Sequence, residues 1–134
     1  MEHPKLFEAG DPLVQRVREL CLELPEAVEV EAWGRPTFRA RKPIFVHTGS
    51  SMVRPYSIVF KTDPDEHPAL EQDERFFHAP YYDGTKWLAI DFDQPGTDWR
   101  FLAELIETSY RRVAVTRQVR LLELARPRGA GYSN

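Results

Sequence analysis

The segment 24–39 constrains the fold more than any other part of this chain. Pro25 ends a helical pattern, and small apolar residues then alternate with acidic ones over 28–32, as they do in a half-buried strand. A tight turn follows at Gly34, and a second strand pattern opens at Thr37. A connection this short is too short for a parallel crossover, so the segment predicts the first hairpin of an antiparallel sheet.

The remaining patterns predict a mixed α+β domain. Asp11 and Pro12 have the residue types that start helices, and apolar residues then recur at helical spacing as far as Leu24. Further strand patterns cover 37–41, 43–48, 56–61 and 86–92, a loop or short strand covers 76–82, and helical patterns cover 63–73 and begin near 98 and 116. This order predicts a mainly antiparallel sheet of five to six strands, with the N- and C-terminal helices packed on one face.

Length and cysteine content bound the class of protein. The 134 residues fit one domain, which we expect to be ordered from about 11 to 125 and to end in a flexible tail over 127–134. Cys21 is the only cysteine and lies on the apolar stripe of the first helix, which predicts a buried thiol and no internal disulfide. The start of the sequence lacks an apolar signal region, and no apolar run approaches the roughly 20 residues that cross a bilayer. We therefore expect a cytoplasmic protein without a membrane partner.

Several motifs, taken together, resemble the MmcQ/YjbR family of small bacterial proteins. They lie between about Leu13 and Ala114 and are Leu24-Pro25-Glu26-Ala27, Trp33-Gly34-Arg35-Pro36-Thr37-Phe38-Arg39, Ile44-Phe45, Lys61-Thr62-Asp63-Pro64, the segment 76–81, Trp87-Leu88-Ala89-Ile90-Asp91 and Ser109-Tyr110-Arg111-Arg112-Val113. The resemblance implies one compact α+β domain of the frataxin-like or double-wing type. It also implies a DNA-binding function, which for this family rests on the comparison of folds.

Period-two alternation divides the predicted strands into two faces. The face expected beneath the terminal helices carries Val28, Val30, Ala32, Phe38, Ala40, Ile44, Val46, Ile58, Phe60, Leu88, Ile90 and Phe92. The opposite face is then expected to carry aromatic rings among cations, and we predict that Trp33, Phe45 and Trp87 all lie there. Interleaved aromatics and cations suit base stacking and phosphate contact, whereas the acids expected on the same face, Glu29, Glu31 and Asp91, oppose that use.

The candidate binding residues combine this face with the basic C-terminal helix. They are Trp33, Arg35, Thr37, Arg39, Arg41, Lys61, Trp87, Arg117 and Arg120. The net charge of −3 means that attraction to DNA or to a single-stranded nucleic acid must come from such local cations, so we expect weak, salt-sensitive and poorly sequence-specific binding. The alternative is that a short helix or a loop covers this face, so that its aromatics form a second small core and its cations pair with acids.

The sequence carries no recognisable catalytic or cofactor-binding pattern. The four histidines show no ligand spacing, and the lone cysteine cannot complete a thiolate site. Glycine-rich phosphate loops, nucleophile elbows and zinc-protease motifs are all missing from the sequence. We therefore predict no catalytic residue, no metal site and no cofactor, and a non-enzymatic domain with nucleic acid as its first-choice partner. The alternatives are a protein-interaction module that uses the same face, and a small-molecule binder or enzyme with a cleft near Trp33, Lys61 and Trp87.

Overall fold

The computed structural model describes residues 4–126, which form four helices and six strands. In chain order these are α1 (Pro12–Leu22), β1 (Ala27–Ala32), β2 (Arg35–Ala40), β3 (Ile44–Thr48), β4 (Ser57–Lys61), α2 (His67–Glu71), β5 (Phe76–Phe77), β6 (Trp87–Asp91), α3 (Trp99–Val113) and α4 (Thr116–Ala125). The mixed α+β class predicted from the sequence is confirmed, with a sheet of six strands. The tail predicted over 127–134 lies outside the described residues.

All neighbouring strands of the sheet are antiparallel. Their order across the sheet is β1-β2-β3-β4-β6-β5, so β6 returns between β4 and β5 and leaves the two-residue strand β5 at one edge. The six-residue strand β1 forms the other edge. Helix α1 contacts β1 and β2, while α3 contacts β3, β4 and α1, so the two helices form one layer on one face of the sheet.

The main core lies between this helical layer and the sheet. Asp11 starts α1, because its carboxylate accepts hydrogen bonds from two amides of the first helical turn. Cys21 is fully buried in the core, as its position on the apolar stripe predicted, and burial raises the pKa of its thiol well above the usual value. Tyr110 of α3 is also fully buried, and its hydroxyl donates to the carbonyl oxygen of Pro25 (2.7 Å), which ties α3 to the segment before β1.

The face predicted for β1 is wrong. Its pairing with β2 places Glu29 opposite Phe38, and residues directly opposite in an antiparallel pair share a face. Because Phe38 is fully buried in the core, Glu29 lies on the helix side, where its carboxylate accepts two hydrogen bonds from Arg18 of α1. The residues predicted in the core and found on the opposite side are Val28, Val30 and Ala32.

The physical reason is that β1 is an edge strand. Val28 and Val30 remain 41% and 39% exposed, and Glu29 is exposed as well, so neither side of the strand is deeply buried. The two-residue turn at Trp33 and Gly34, with φ values of +56° and +76°, fixes the register and hence the face of each residue. Alternation alone shows which residues share a side, and does not show which side the core covers.

A bulge between β2 and β3 corrects a second prediction. The register shifts between Phe38 and Arg39, so that Arg39 lies opposite Ile44. Ile44, predicted in the core, therefore lies on the side away from the helices. Phe45, predicted on that side, is fully buried in the core, and its ring meets Tyr110 edge-on with 5.4 Å between the ring centroids. The irregularity exchanges these two side chains because it breaks the period-two alternation at the start of β3.

Candidate functional site

The sheet face opposite α1 and α3, here called the second face, is covered at one end and open at the other. The segment 78–82, which follows β5, folds over β4 and β6, where a small apolar cluster consists of Val59, Ala79 and Ala89, with Phe77, Tyr82 and Trp87 packed around them. Near the turn between β1 and β2, by contrast, Trp33 is 55% exposed. The alternative in which a loop covers this face therefore holds near Trp87 and does not hold near Trp33.

The open end of the second face contains a recess of about 760 Å³, here called the aromatic recess. It is lined by Trp33, Arg35, His47, Ser50, Ser51, Met52, Pro80, Tyr81 and Tyr82. The Trp33 ring stacks on His47, with 5.5 Å between centroids and 29° between the ring planes, and His47 meets Tyr82 at 5.8 Å and 62°. The His47 Nδ1 and the Tyr82 hydroxyl oxygen are 2.8 Å apart and share a hydrogen bond. The three rings form a continuous aromatic wall on which a planar ligand group can stack.

The turn between β1 and β2 holds Trp33 in this position. Both of its central residues have positive φ, as a two-residue hairpin turn requires, and this is unusual for a residue as large as tryptophan. Such a conformation costs of the order of 1–3 kcal/mol and is concentrated at functional sites. Arg35 follows the turn, and its guanidinium donates to the carbonyl oxygen of Gly49 (2.8 Å), which ties the turn to the connection between β3 and β4.

His47 is neutral at pH 7. Burial, and then the positive charges of Arg35 and Arg39, lower the pKa of His47 from 6.5 to about 4. Its Nε2 atom has no hydrogen-bond partner within residues 4–126. The ring therefore gives Trp33 an uncharged surface to stack on. Since two guanidinium groups disfavour its protonation, the electrostatic environment at this part of the second face is positive.

A second depression, of about 640 Å³, adjoins the first and is here called the cationic groove. It is lined by Arg39, Lys42, Pro43, Ile44, Lys61, Tyr82, Trp87, Arg112 and Val113. Four of these residues are cations and none is acidic. Tyr82 lines both the groove and the aromatic recess, so one tyrosine forms the wall between them. The second face therefore places a stacking surface next to a concentration of positive charge.

The acids that were expected to oppose anion binding do not line the groove. Glu29 binds Arg18 on the helix side, and Glu31, on the same side of β1, lies 3.9 Å from the Lys5 ammonium group. Asp91 does lie on the second face, where Arg54 holds its carboxylate at 2.6 Å. The predicted conflict between acids and an anionic ligand is thus smaller than the sequence suggested.

The structure divides the predicted site residues into three groups. The aromatic recess contains Trp33 and Arg35, and the cationic groove contains Arg39, Lys61 and Trp87. The residues that line neither are Thr37, Arg41, Arg117 and Arg120. The strands therefore bring Arg39, Lys61 and Trp87 together, whereas Thr37, Arg41 and the basic helix at the C-terminal end do not join them.

Physical reasons exclude two of the four. Thr37 is fully buried, and its hydroxyl donates to the carbonyl oxygen of Val30 (2.5 Å), so it cannot reach a ligand. Arg117 on α4 donates two hydrogen bonds, of 2.7 and 2.8 Å, to the Glu26 carboxylate on the helix side of the molecule. This guanidinium lowers the pKa of Glu26 to about 2, so the pair is charged at neutral pH.

Several residues of the two sites were not among the predicted ones. They are His47 and Tyr82 in the aromatic recess, and Lys42 and Arg112 in the cationic groove. Tyr82 lies in a segment without periodicity, and Lys42 lies in a turn, so neither position has a pattern from which its direction follows. Arg112 comes one helical turn after the buried Ser109, and its place beside the sheet depends on how α3 crosses β3 and β4.

Residues 4–126 contain neither a cluster of metal ligands nor a helix suited to crossing a membrane. Within residues 4–126, no three histidine, cysteine or acidic side chains converge as metal ligands. His67 and His78 both contact the Glu71 carboxylate, at 2.8 and 3.2 Å, in a surface cluster around α2. In the same range no helix has the length and apolar character that crossing a membrane requires.

Comparison with known proteins agrees with this architecture. The model of the YjbR family matches residues 22–112, a segment that contains Trp33, Tyr82 and all four cations of the groove. The crystal structure of the Deinococcus radiodurans protein DR2400, which has the family-model domain DUF419, is similar with a TM-score of 0.65 and 22% sequence identity. The similarity covers 88% of this chain and 94% of that one, and at this identity it shows the fold alone. No curated protein matches the sequence significantly.

Proposed function

This chain belongs to the YjbR family, and we propose that it is a non-enzymatic domain that binds single-stranded nucleic acid on its second face. The observation that carries the proposal is the juxtaposition of the aromatic recess and the cationic groove, with Tyr82 as their shared wall. A nucleic acid strand presents the complementary pair of groups, a planar base and a phosphate, in every unit. The buried thiol of Cys21 and the lack of an internal disulfide fit a cytoplasmic location for this function.

The geometry favours single strands over duplexes. Stacking on Trp33 requires a base with a free ring face, and bases inside a duplex are stacked on their neighbours. Stacking of one base on an aromatic side chain contributes about 1–3 kcal/mol to binding and tolerates any base. The helices offer no dense basic stripe for the major groove, since Arg111 is paired with Glu107 and Arg117 with Glu26. We therefore propose low sequence specificity.

The charge balance limits the affinity. The net charge of the chain is −3, so only the local cations attract a polyanion. Four cations that neutralise up to four phosphates give a salt dependence with a slope of at most about −3 for a single strand. Binding in the micromolar range or weaker at low salt, lost at moderate salt, is what this arrangement can provide.

A titration of labelled oligonucleotides across a salt series tests the proposal. We expect the single strand to bind more tightly than the duplex, and Trp33→Ala and Lys61→Ala each to weaken binding at least fivefold. Arg120→Ala is the matched control, because Arg120 is exposed on α4 and lines neither site. If neither oligonucleotide binds at low salt, or if both variants bind like the wild type, the proposal is wrong.

A protein partner is the second candidate function. Three side chains near the aromatic recess, Met52, Val53 and Tyr81, are 73%, 85% and 106% exposed, and such apolar groups favour protein contacts. This candidate predicts association that persists at high salt and that is weakened by Met52→Ser and Tyr81→Ser, with no requirement for Lys61.

A further inference from the structure

We infer that the cationic groove is a preformed phosphate-binding site, in which Lys42 and Arg112 act together with Arg39 and Lys61. The inference rests on the proposed function only for the source of the phosphate, which is the backbone of a bound strand. The same groove would accept the phosphates of a free polyphosphate, and the experiment below separates the two sources.

The four cations come from four separate parts of the fold. Arg39 lies in β2, Lys42 in the connection to β3, Lys61 at the end of β4, and Arg112 in the last turn of α3. The first and the last of them, Arg39 and Arg112, are 73 positions apart in the sequence, so no local run of charged residues explains their proximity. The convergence is a property of the folded molecule.

None of these cations is paired with an acid. No ion pair within residues 4–126 joins Arg39, Lys42, Lys61 or Arg112 to a carboxylate. The chain has 21 acidic residues against 18 basic ones, and elsewhere its cations do find partners, as Arg18 does in Glu29 and Arg54 in Asp91. Like charges held together without a counter-charge repel each other, and a bound anion removes that cost.

Two features hold the groove in shape. The Ser109 hydroxyl accepts a hydrogen bond from the backbone amide of Lys61 (2.8 Å) and donates to the carbonyl oxygen of Phe45 (2.6 Å), so it ties α3 to both β3 and β4. Arg112 follows one helical turn later. On the sheet, the Arg39 Nε donates to the Thr37 hydroxyl oxygen (3.2 Å), which anchors its stem and leaves the outer edge of the guanidinium for a ligand.

The chemistry of the lining suits phosphate. Guanidinium groups donate paired hydrogen bonds to phosphate oxygens, while lysine ammonium groups act as compact point charges. Two groups of each kind line an open depression beside the rings of Trp87 and Tyr82, where a phosphate can reach all four from solvent. Four positive charges match an anion of several charges better than a single carboxylate.

Titration calorimetry with inorganic tripolyphosphate, at constant ionic strength, tests the site without any base. The test variant is Lys61→Gln with Arg112→Gln. The control is Arg100→Gln with Arg120→Gln, which removes the same two charges from exposed residues that line neither the groove nor the aromatic recess. We expect the wild type and the control to bind within twofold of each other and the groove variant to bind at least tenfold more weakly. If the wild type does not bind, or if the two variants lose affinity equally, the inference is overturned.

A second arm measures the salt dependence of single-strand binding with the same variants. If the phosphates of the strand occupy the groove, the slope falls in magnitude by about 1–2 in the groove variant and is unchanged in the control. Tripolyphosphate binding without strand binding would refute the proposed function and leave the groove as a site for free polyphosphate. Strand binding with an unchanged slope in the groove variant would refute the groove and leave the aromatic recess as the binding site.

Discussion

The two faces of the sheet differ in how many of their side chains are buried or paired within the fold. On the helix side, Phe38 and Phe60 are buried, and Arg18 binds the carboxylate of Glu29. On the second face, Trp33 is largely exposed, and within residues 4–126 the four cations of the groove have no acid partner. The same strands supply both faces through alternate residues. Much of the second face is covered, but one exposed ring and four cations that no acid in residues 4–126 pairs suit a partner from outside, whereas the helix side serves stability.

The largest expected difference between the two faces is in the free energy of unfolding that Phe38→Ala and Trp33→Ala each remove. Phe38→Ala should lower the free energy of unfolding by about 3–5 kcal/mol, because it removes a fully buried ring from the core. Trp33→Ala should lower it by about 1 kcal/mol or less, since the ring is more than half exposed. Urea unfolding monitored by circular dichroism measures both. Equal losses would mean that the second face is a core and not a binding surface.

Lowering the pH should reduce the free energy of unfolding through protonation of His47 on the second face. The pKa of this residue in the fold is about 4, below the 6.5 of the unfolded chain, so the unfolded state binds the proton more readily between these values. Stability contributed by neutral His47 is present above pH 6.5 and is lost as the pH falls towards 4, up to about 3 kcal/mol. Urea unfolding from pH 7 to pH 4 should show a steeper loss for the wild type than for His47→Phe. Parallel curves would contradict the assignment of a neutral His47.

Ser109 ties α3 to β3 and β4, so its loss should affect both the core and the position of Arg112 in the groove. Ser109→Ala leaves the Lys61 amide and the Phe45 carbonyl without their partner, which should cost about 1–3 kcal/mol of folding free energy. It should also weaken tripolyphosphate binding under conditions where the protein stays folded. Thr85→Ala is the control, because the Thr85 hydroxyl donates to the carboxylate of Asp83 at the surface, away from the groove. A variant that loses stability and keeps full tripolyphosphate affinity would show that Ser109 does not position the groove.

The smallest effect is expected from breaking the ion pair between Arg117 and Glu26, which lies away from the candidate site. The Arg117 guanidinium lowers the pKa of Glu26 from 4.5 to about 2, so this carboxylate stabilises the fold above pH 4.5 and stops doing so as the pH falls through 2. The difference in melting temperature between the wild type and Glu26→Gln should therefore shrink over that range. If Glu26→Gln also strengthened oligonucleotide binding, Arg117 would belong to the binding surface after all.

Local chemistry made most of the fold predictable. Asp11 with Pro12, and Asp98 ahead of α3, start helices through hydrogen bonds that act within one turn, so the sequence alone locates them. The turn signal at Gly34 likewise predicted the first hairpin, although the turn residues are Trp33 and Gly34 and β2 begins at Arg35, two residues before the predicted start. These features need no knowledge of distant contacts.

The faces of the sheet and the site depended on contacts that the sequence does not contain. At β1 the edge position leaves both sides partly exposed, and at β3 the bulge exchanges Ile44 with Phe45. Strands with strict alternation, such as β4 and β6, did place Lys61 and Trp87 correctly on the second face. Lys42 and Arg112 could not be foreseen, because only the packing of α3 against the sheet brings them together.

The edge position of β1 also bears on self-association. An exposed six-residue edge offers unpaired backbone groups to any other strand, and this is the usual route to aggregation through sheet extension. In an antiparallel docking of two copies that places Val30 opposite Val30, Glu29 and Glu31 of one copy would face Glu31 and Glu29 of the other, and like charges opposite each other are destabilising. The same two acids, whose side of the sheet the pattern predicted wrongly, thus oppose extension of the sheet in this register.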